Sequence, residues 1–455
     1  MKNNWSILGK FFAGVIAVSL VLTSVRAAAG ASSPDRVVVM ISVDGLAAYY
    51  IDDPKADMPN LRHLAAEGAR ASMMKASTPT VTWPNHTTLV TGDNPARHGV
   101  VGNNYFDRKT GQKVTLISDP VFDKDQIVKV PTIYDVAKAA GMKTAAIRWP
   151  ATRNAKTLDW TIPDMRTADL VKQYSTPGLL DECKNAGIDV LGDSESNESP
   201  DDKWTAMFDY ILREHRPRLA LLHVAFVDHT EHLHGPKSPE AYAAVHAADH
   251  QIGEVWKELK KDFPNHATLI VVSDHGFSPI KKSIFPNVAL RKAGLYQRKG
   301  GEVNMVSQGG AAMLYIRDEA KRDEVMAKIR EALAGVEGIS KIAGPKELKQ
   351  YGVADPAVDP HAPDMILFAD EGCTFGDTAA GSLPFNDKPE RKGSHGHDSN
   401  LPDLHATFVM WGVGVKTGVK TGEISNIDVA PTIAKFLNLQ LPNPDGKPLT
   451  EMMSN

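Results

Sequence analysis

Five short stretches of this chain carry side chains able to hold a metal ion or attack an electrophile. Asp274-His275-Gly276-Phe277 follows an apolar run and pairs a carboxylate oxygen with an imidazole nitrogen, both suited to zinc. In Asp228-His229-Thr230-Glu231-His232-Leu233-His234, a helical turn after Asp228 would bring Asp228 and His232 to one face, because residues four apart are neighbours there. His229 and His234 then point elsewhere, as surface or supporting residues. Glycines flank the region of His395 in Gly393-Ser394-His395-Gly396, allowing close backbone approach to a site. Asp44-Gly45 closes the first apolar run. Each of these alone has a plainer reading, as a loop former or a helix cap. The fifth stretch, Thr80-Val81-Thr82-Trp83-Pro84-Asn85-His86, reads as a loop feeding a helix with Pro84 in its first turn. Thr82 then stands just before a helix N-terminus, where free N–H groups and the dipole favour an anion. A hydroxyl there can attack phosphorus if a coordinated metal ion helps remove its proton.

The elements that must position these residues are legible as alternating patterns. Continuous apolar runs at Arg36–Val43, Leu219–Val227 and Ala267–Ser273 each end in an aspartate, and a fourth spans Ala406–Trp411. Runs of this kind are buried strands of a parallel sheet. Helical periodicity covers Met58–Glu67, Pro131–Ala140, Ala241–Leu259 and Ile427–Leu437. Strands alternating with helices predict an α/β sandwich with a mostly parallel sheet, whose ligands bind outside the carboxyl ends of the strands. Residues 280–360 break this rhythm with Gly309-Gly310, a short strand at Ala312–Ile316 and a charged helix at Glu319–Leu333, and read as an inserted cap subdomain. Asp193–Asp202 is acidic and serine-rich, a surface loop.

The chain has 455 residues, 42% hydrophobic and 23% charged, the balance of a folded domain with ample core. A formal net charge of −4 gives no global attraction to nucleic acid and argues against a duplex binder. Residues 1–29 have the layout of a secretory signal peptide: Lys2 and Lys10, an apolar stretch from Phe11 to Thr23, then Ala27-Ala28-Ala29. That stretch is short for a membrane span of about 20 residues, so the expectation is an exported protein, periplasmic or secreted, with no span after cleavage. Cys183 and Cys373 are the only cysteines, and whether they pair cannot be read from sequence. Any zinc must therefore be held by histidine and aspartate.

Taken together and in order, Asp44-Gly45, the Thr82-Trp83-Pro84-Asn85-His86 stretch, Thr91 to Gly99 (Thr-Gly-x-x-Pro-x-x-His-Gly), Asp228 with His232, Asp274-His275-Gly276 and Gly393 to Gly396 resemble the nucleotide pyrophosphatase/phosphodiesterase family of the alkaline phosphatase superfamily. The resemblance runs from Asp44 to His395, and Asp428–Leu437 is similar to the superfamily's last helix. It implies an alkaline-phosphatase-like three-layer sandwich over residues 30–455. It also implies two zinc ions, one held by Asp228, His232 and His395, the other by Asp44, Asp274, His275 and Thr82. Thr82 would be the nucleophile, forming a phosphothreonine that water then hydrolyses. Asn103 matches the family asparagine that donates to a non-bridging phosphate oxygen. The implied substrate is a small phosphorylated molecule. Three carboxylates, three neutral histidines and an alkoxide around two dications would leave the site near neutral and open to an anion.

Three departures from the family pattern bear on substrate. Trp83 stands where Phe is usual, beside the nucleophile, where it could stack on a base or serve as core. His223, five residues before Asp228, replaces a Tyr common in nucleotide-cleaving members, and Glu231 replaces a Gly. The rival on the same scaffold is a phosphomonoesterase or phosphonoacetate hydrolase, which needs extra positive charge, with Arg148 or Arg153 as candidates; Arg148 is otherwise expected to be structural. A sulfatase is disfavoured for want of a Cys/Ser-x-Pro-x-Arg motif. A zinc-binding protein without turnover is a further rival, against which Thr82 and Asn103 speak.

Overall fold

The computed structural model describes residues 35–117, 122–192, 199–298 and 300–454. The expected signal peptide and most of the acidic loop lie outside the described residues.

The buried runs form strands β1 (Val37–Val43), β2 (Ala69–Lys75), β3 (Thr144–Trp149), β4 (Trp160–Pro163), β5 (Leu219–Val224), β6 (Ala267–Val272), β7 (Phe408–Gly412) and β8 (Val419–Ser425). They make one eight-stranded sheet in the order β8-β2-β7-β6-β1-β5-β3-β4. β7 runs antiparallel to both its neighbours and every other pairing is parallel. In register, Ser42 of β1 faces His223 of β5 on one side and Val272 of β6 on the other. The three central strands therefore end level.

Main helices are α1 (Pro59–Glu67), α2 (Thr82–Thr91), α3 (Ile133–Ala139), α4 (Asp202–His215), α5 (Phe226–His234), α6 (Pro239–Asp262) and α7 (Val429–Phe436). Side chains alternate across a strand, so β1 feeds two cores. Val37, Val39, Ile41 and Val43 pack with Leu61 and Leu64 of α1, Phe208 and Ile211 of α4 and Val245 and Ile252 of α6. Val38 and Met40 pack on the other face with Leu89 of α2, Ile133 of α3 and Ile433 of α7. Helices on both faces of a mostly parallel sheet give the three-layer sandwich expected from the sequence.

Two element boundaries differ from the sequence reading. β5 stops at Val224, and α5 begins at Phe226, so Asp228 stands in a helical first turn rather than at a strand end. The cause is Asp201, whose Oδ2 accepts the backbone N–H groups of Ala225 and Phe226 at 2.9 and 2.8 Å and caps the helix early. Likewise α2 begins at Thr82 itself, with Val81 as the extended preceding residue. Thr82 is the first helical residue, not a cap.

Between β6 and β7, strands Val303–Ser307, Ala311–Ile316, Ile339–Ala343 and Met365–Ala369 form a separate antiparallel sheet. One face packs on Val325, Ile329 and Leu333 of the helix Arg322–Leu333. The other carries Met313, Tyr315 and Phe368 onto Trp83, Val100 and Val101, close behind the start of α2. Trp83 is thus a core residue. Cys183 and Cys373 are both buried and unpaired.

Candidate active site

At the carboxyl ends of β1, β5 and β6, five of the side chains singled out above converge in two overlapping groups. Ligand atoms of Asp44, Asp274 and His275 all lie within 4.8 Å of one another, and so do those of Asp228, His275 and His395. His275 Nε2 is 3.3 Å from Asp44 Oδ1 and 3.1 Å from Asp274 Oδ2. Asp228 Oδ1 is 3.5 Å from His232 Nε2 and 3.4 Å from His395 Nε2. His232 thus joins the second group through Asp228, as the α5 turn permits, while His275 stacks on His395 with ring centroids 3.8 Å apart and stands between the groups.

Each histidine is aimed by its other nitrogen. The Nδ1 atoms of His232, His275 and His395 lie 3.1, 3.1 and 3.0 Å from the backbone carbonyls of Gly393, Gly276 and Thr80. A carbonyl can only accept, so Nδ1 carries the proton and the bare Nε2 faces the carboxylates. Backbone geometry supports this aim at two glycines. Gly45 adopts φ +77° and its N–H donates to Asp274 Oδ1 at 3.3 Å. Gly396 adopts φ +93°, and a Cβ there would stand 1.8 Å from the Gln308 carbonyl oxygen. Its N–H instead donates to Thr80 O at 2.9 Å, tying the His395 loop to the segment before Thr82.

The electrostatics suit a bound cation. Burial, then Asp228, pushes the Asp44 carboxyl well above the usual carboxylate range. Burial, then Asp44, does the same to Asp274, and burial raises Asp228. Burial lowers His232 and His395 to about 3 and drives His275 well below its usual range. Asp44 Oδ1, Asp228 Oδ1, Asp274 Oδ2 and His275 Nε2 are buried with no hydrogen-bond partner. Orphaned buried acceptors are costly, and carboxylates crowded together repel. Oxygen and imidazole donors of this kind, neutral at nitrogen and facing one another, fit zinc.

Thr82 and Asn103 line one cleft of about 820 Å³ together with Asp228, His232, His395 and Phe285. The Asn103 Oδ1 accepts the Trp83 backbone N–H at 2.9 Å, which leaves its amide NH₂ as a donor. Trp83 is only 1% exposed and lies behind the site, so the stacking role is not its own.

Two residues that sequence reasoning left unassigned to the site stand directly behind it. His223 Nε2 is 3.0 Å from Asp44 Oδ2, and its Nδ1 is 2.9 Å from the Arg148 carbonyl. Arg148 sits at φ +60° in a bulge between β3 and β4, which turns that carbonyl inward. Its guanidinium pairs with Asp164 at 3.1 Å, a structural role as expected. His86, four residues after Thr82, holds the Thr82 carbonyl through Nδ1 at 2.9 Å and lies 3.5 Å from Asp274 Oδ2. A histidine inside an otherwise apolar buried run, as in Leu219–Val224, is the signal that could have found His223. His229 is exposed on the cleft wall, and His234 is a surface residue 3.7 Å from Glu240.

Residues 38–398 match the family described as type I phosphodiesterase / nucleotide pyrophosphatase. Human ectonucleotide pyrophosphatase/phosphodiesterase family member 1 is 27% identical over 424 residues, covering 90% of this chain and 40% of the relative. An uncharacterized pyrophosphatase/phosphodiesterase of Schizosaccharomyces pombe is 31% identical over 53% of this chain and 45% of its own. This chain thus spans less than half the length of those two relatives. Rat family member 7 is 24% identical over 90% of this chain and 85% of its own. Among solved structures, murine ectonucleotide pyrophosphatase / phosphodiesterase 5 superposes with a TM-score of 0.70 at 22% identity, covering 92% of this chain and all of that one. An inactive threonine-to-alanine form of that murine protein, in complex with AMP, superposes equally well at 21% identity. This chain belongs to the type I phosphodiesterase / nucleotide pyrophosphatase family of the alkaline phosphatase superfamily, a family of hydrolases acting on phosphoric esters.

Proposed function

We propose that the chain is a zinc-dependent phosphodiesterase and pyrophosphatase that cleaves phosphodiester or phosphoanhydride bonds of small molecules such as nucleotides. The observation that carries this reading is the set of buried, partnerless atoms on Asp44, Asp228, Asp274 and His275, gathered in two overlapping groups of which Asp228 and His395 line the same cleft as Thr82. Asp44, Asp274, His275 and Thr82 would hold one zinc ion, and Asp228, His232 and His395 the other. Zinc so held would supply the positive charge that lowers the pKa of the Thr82 hydroxyl and offsets charge on the phosphoryl oxygens.

Thr82 Oγ1 attacks phosphorus from the first turn of α2, where the helix dipole favours the anion. A phosphothreonine results as the alcohol or phosphate departs, and water then cleaves it. Asn103, locked by the Trp83 N–H, donates its amide to a non-bridging oxygen as charge builds there. His86 and His223 hold the Thr82 backbone and Asp44 in place.

The two arginines offered for a monoesterase are engaged elsewhere. Arg148 pairs with Asp164, and Arg153 pairs with Asp123 at 2.8 Å while covering the Tyr174 ring. Export by residues 1–29 belongs to the same proposal, and among the described residues no helix is long and apolar enough to cross a membrane. The segment around 280–360 we read as a cap over the site.

Initial rates on bis-p-nitrophenyl phosphate and p-nitrophenyl phosphate, with zinc content, test the reading. The diester is expected to be the better substrate, and Thr82→Ala to abolish turnover while keeping its metal. Turnover surviving in Thr82→Ala would remove the proposed nucleophile, and a preference for the monoester would favour the rival enzyme.

A further inference from the structure

Gln308 and the glycine pair Gly309-Gly310 form the tip of the hairpin between strands Val303–Ser307 and Ala311–Ile316, and the proposed chemistry gives this tip no part. It reaches the candidate site from the inserted segment. Gln308 lines the same cleft as Thr82 and Asn103 and is only 4% exposed. Gly309 adopts φ +77°, and a Cβ there would stand 2.4 Å from the His395 carbonyl oxygen. That same carbonyl accepts the Gly310 N–H at 2.7 Å. The tip is therefore tied to the His395 loop by backbone, which leaves the Gln308 side chain for a different task.

Its amide spans two consecutive residues of the phosphate-binding loop. The Asn103 N–H donates to Gln308 Oε1 at 3.1 Å, and Gln308 Nε2 donates to the Asn104 carbonyl at 2.6 Å. A backbone N–H only donates and a carbonyl only accepts, so a single orientation of the amide satisfies both. Residues 99–103 belong to no helix or strand and include Gly99 and Gly102, so little else in the local backbone holds Asn103. The Leu116 N–H donates to the Asn103 carbonyl at 2.9 Å, and the Trp83 N–H fixes the Asn103 Oδ1 at 2.9 Å. A donor aimed at developing charge is effective only when it is held before the reaction. With Gln308 in place, the backbone of Asn103 is pinned, its side-chain oxygen is taken, and its amide NH₂ is the group left to point.

We infer that Gln308 is a positioning residue for phosphoryl transfer: by clamping the Asn103–Asn104 backbone it holds the Asn103 amide where charge builds on the non-bridging oxygen. The inference rests on the phosphodiesterase reading above and on the role given there to Asn103. Gln308 acts through Asn103 and takes no part in bond making. The inserted segment is then a working part of the site as well as a cover over it.

The test is a double-mutant cycle on the zinc-loaded full protein with bis-p-nitrophenyl phosphate, using Gln308→Met, Asn103→Ala and the two together. Methionine keeps the length and bulk of the side chain but neither hydrogen bond. Gln308→Met should lower kcat about tenfold with KM and zinc content nearly unchanged, because a misaimed donor is missed mainly in the transition state. In the Asn103→Ala background the same change should cost less than about twofold, since no amide is left to aim. Gln308→Glu keeps the acceptor for the Asn103 N–H but sets an oxygen against the Asn104 carbonyl. It should lose kcat as well, and it carries the cycle if the methionine variant does not fold. Full kcat in a folded Gln308 variant would overturn the inference. So would an equal loss with and without the Asn103 amide, the mark of a merely structural role. Full activity in Asn103→Ala would sink the role of Asn103 and this inference with it, whereas no turnover by the unaltered protein would sink the phosphodiesterase reading itself.

Discussion

Replacing His223 by alanine removes a ring that no sequence motif would place in a metal site. In the folded protein His223 is 2% exposed and Asp44 4%. The two ring nitrogens of His223 face two acceptors, the Arg148 carbonyl at 2.9 Å and Asp44 Oδ2 at 3.0 Å, so only a ring carrying both protons donates to both. Among the described residues the second contact is the one hydrogen bond by which Asp44 Oδ2 is held. The other oxygen, Oδ1, is the atom facing His275 and Asp274. Without the ring, Oδ2 has no donor in a site closed to water, and the carboxylate is free to rotate away from its neighbours. A hydrogen bond to a charged group is worth about 1.5–3 kcal/mol, roughly ten- to a hundredfold in binding. Loss of such a supporting contact behind a metal ligand costs about the same factor. Competition with a chelator of known affinity should therefore show one zinc bound about ten- to a hundredfold more weakly, the second much less affected, in a variant whose circular dichroism is unchanged. Equal zinc affinity in the folded variant would refute the reasoning, since Asp44 would then need no such support.

Other perturbations follow from the same geometry. Asn103→Asp keeps the oxygen that accepts the Trp83 N–H but replaces the free amide with an acceptor, so kcat should fall by about a hundredfold with metal content unchanged. Chelation at neutral pH should lower the melting temperature reversibly, because the crowded carboxylates lose their counter-charge; a thousandfold excess of zinc over Kd restores about 4 kcal/mol. Far from the site, burial and then Glu258 and Glu254 push the Asp209 carboxyl up to about 8. A raised carboxyl binds its proton more tightly folded than unfolded, so it takes stability away as pH climbs from its ordinary value of 3.8 towards 8. Asp209→Asn should accordingly raise the melting temperature by a few degrees at about pH 9 and leave it unchanged at about pH 4.

Much of the sandwich is legible in the sequence because buried parallel strands must be apolar on both faces. β1, β5 and β6 stand out for that reason, and each leads into a residue of the candidate site: Asp44, Asp228 in the first turn of α5, and Asp274. The outer strands are hidden by their own chemistry: β8, Val-Lys-Thr-Gly-Glu-Ile-Ser, is an edge strand with mixed exposure and lacks an apolar run. Nor does hydrophobicity carry direction, so the antiparallel course of β7 between β2 and β6 appears only in three dimensions. The early start of α5 depends on Asp201, distant in sequence and reached through two backbone bonds. His223 reads as one polar residue in a buried strand, and its purpose emerges only when β1 and β5 align Ser42 with it and bring Asp44 alongside.

Crystals of zinc-loaded protein measured at the zinc absorption edge would test the central claim most directly. The expected result is two anomalous peaks, one among Asp44, Asp274, His275 and the Thr82 hydroxyl, the other among Asp228, His232 and His395. A single peak, or peaks away from these side chains in protein that turns over substrate, would contradict it.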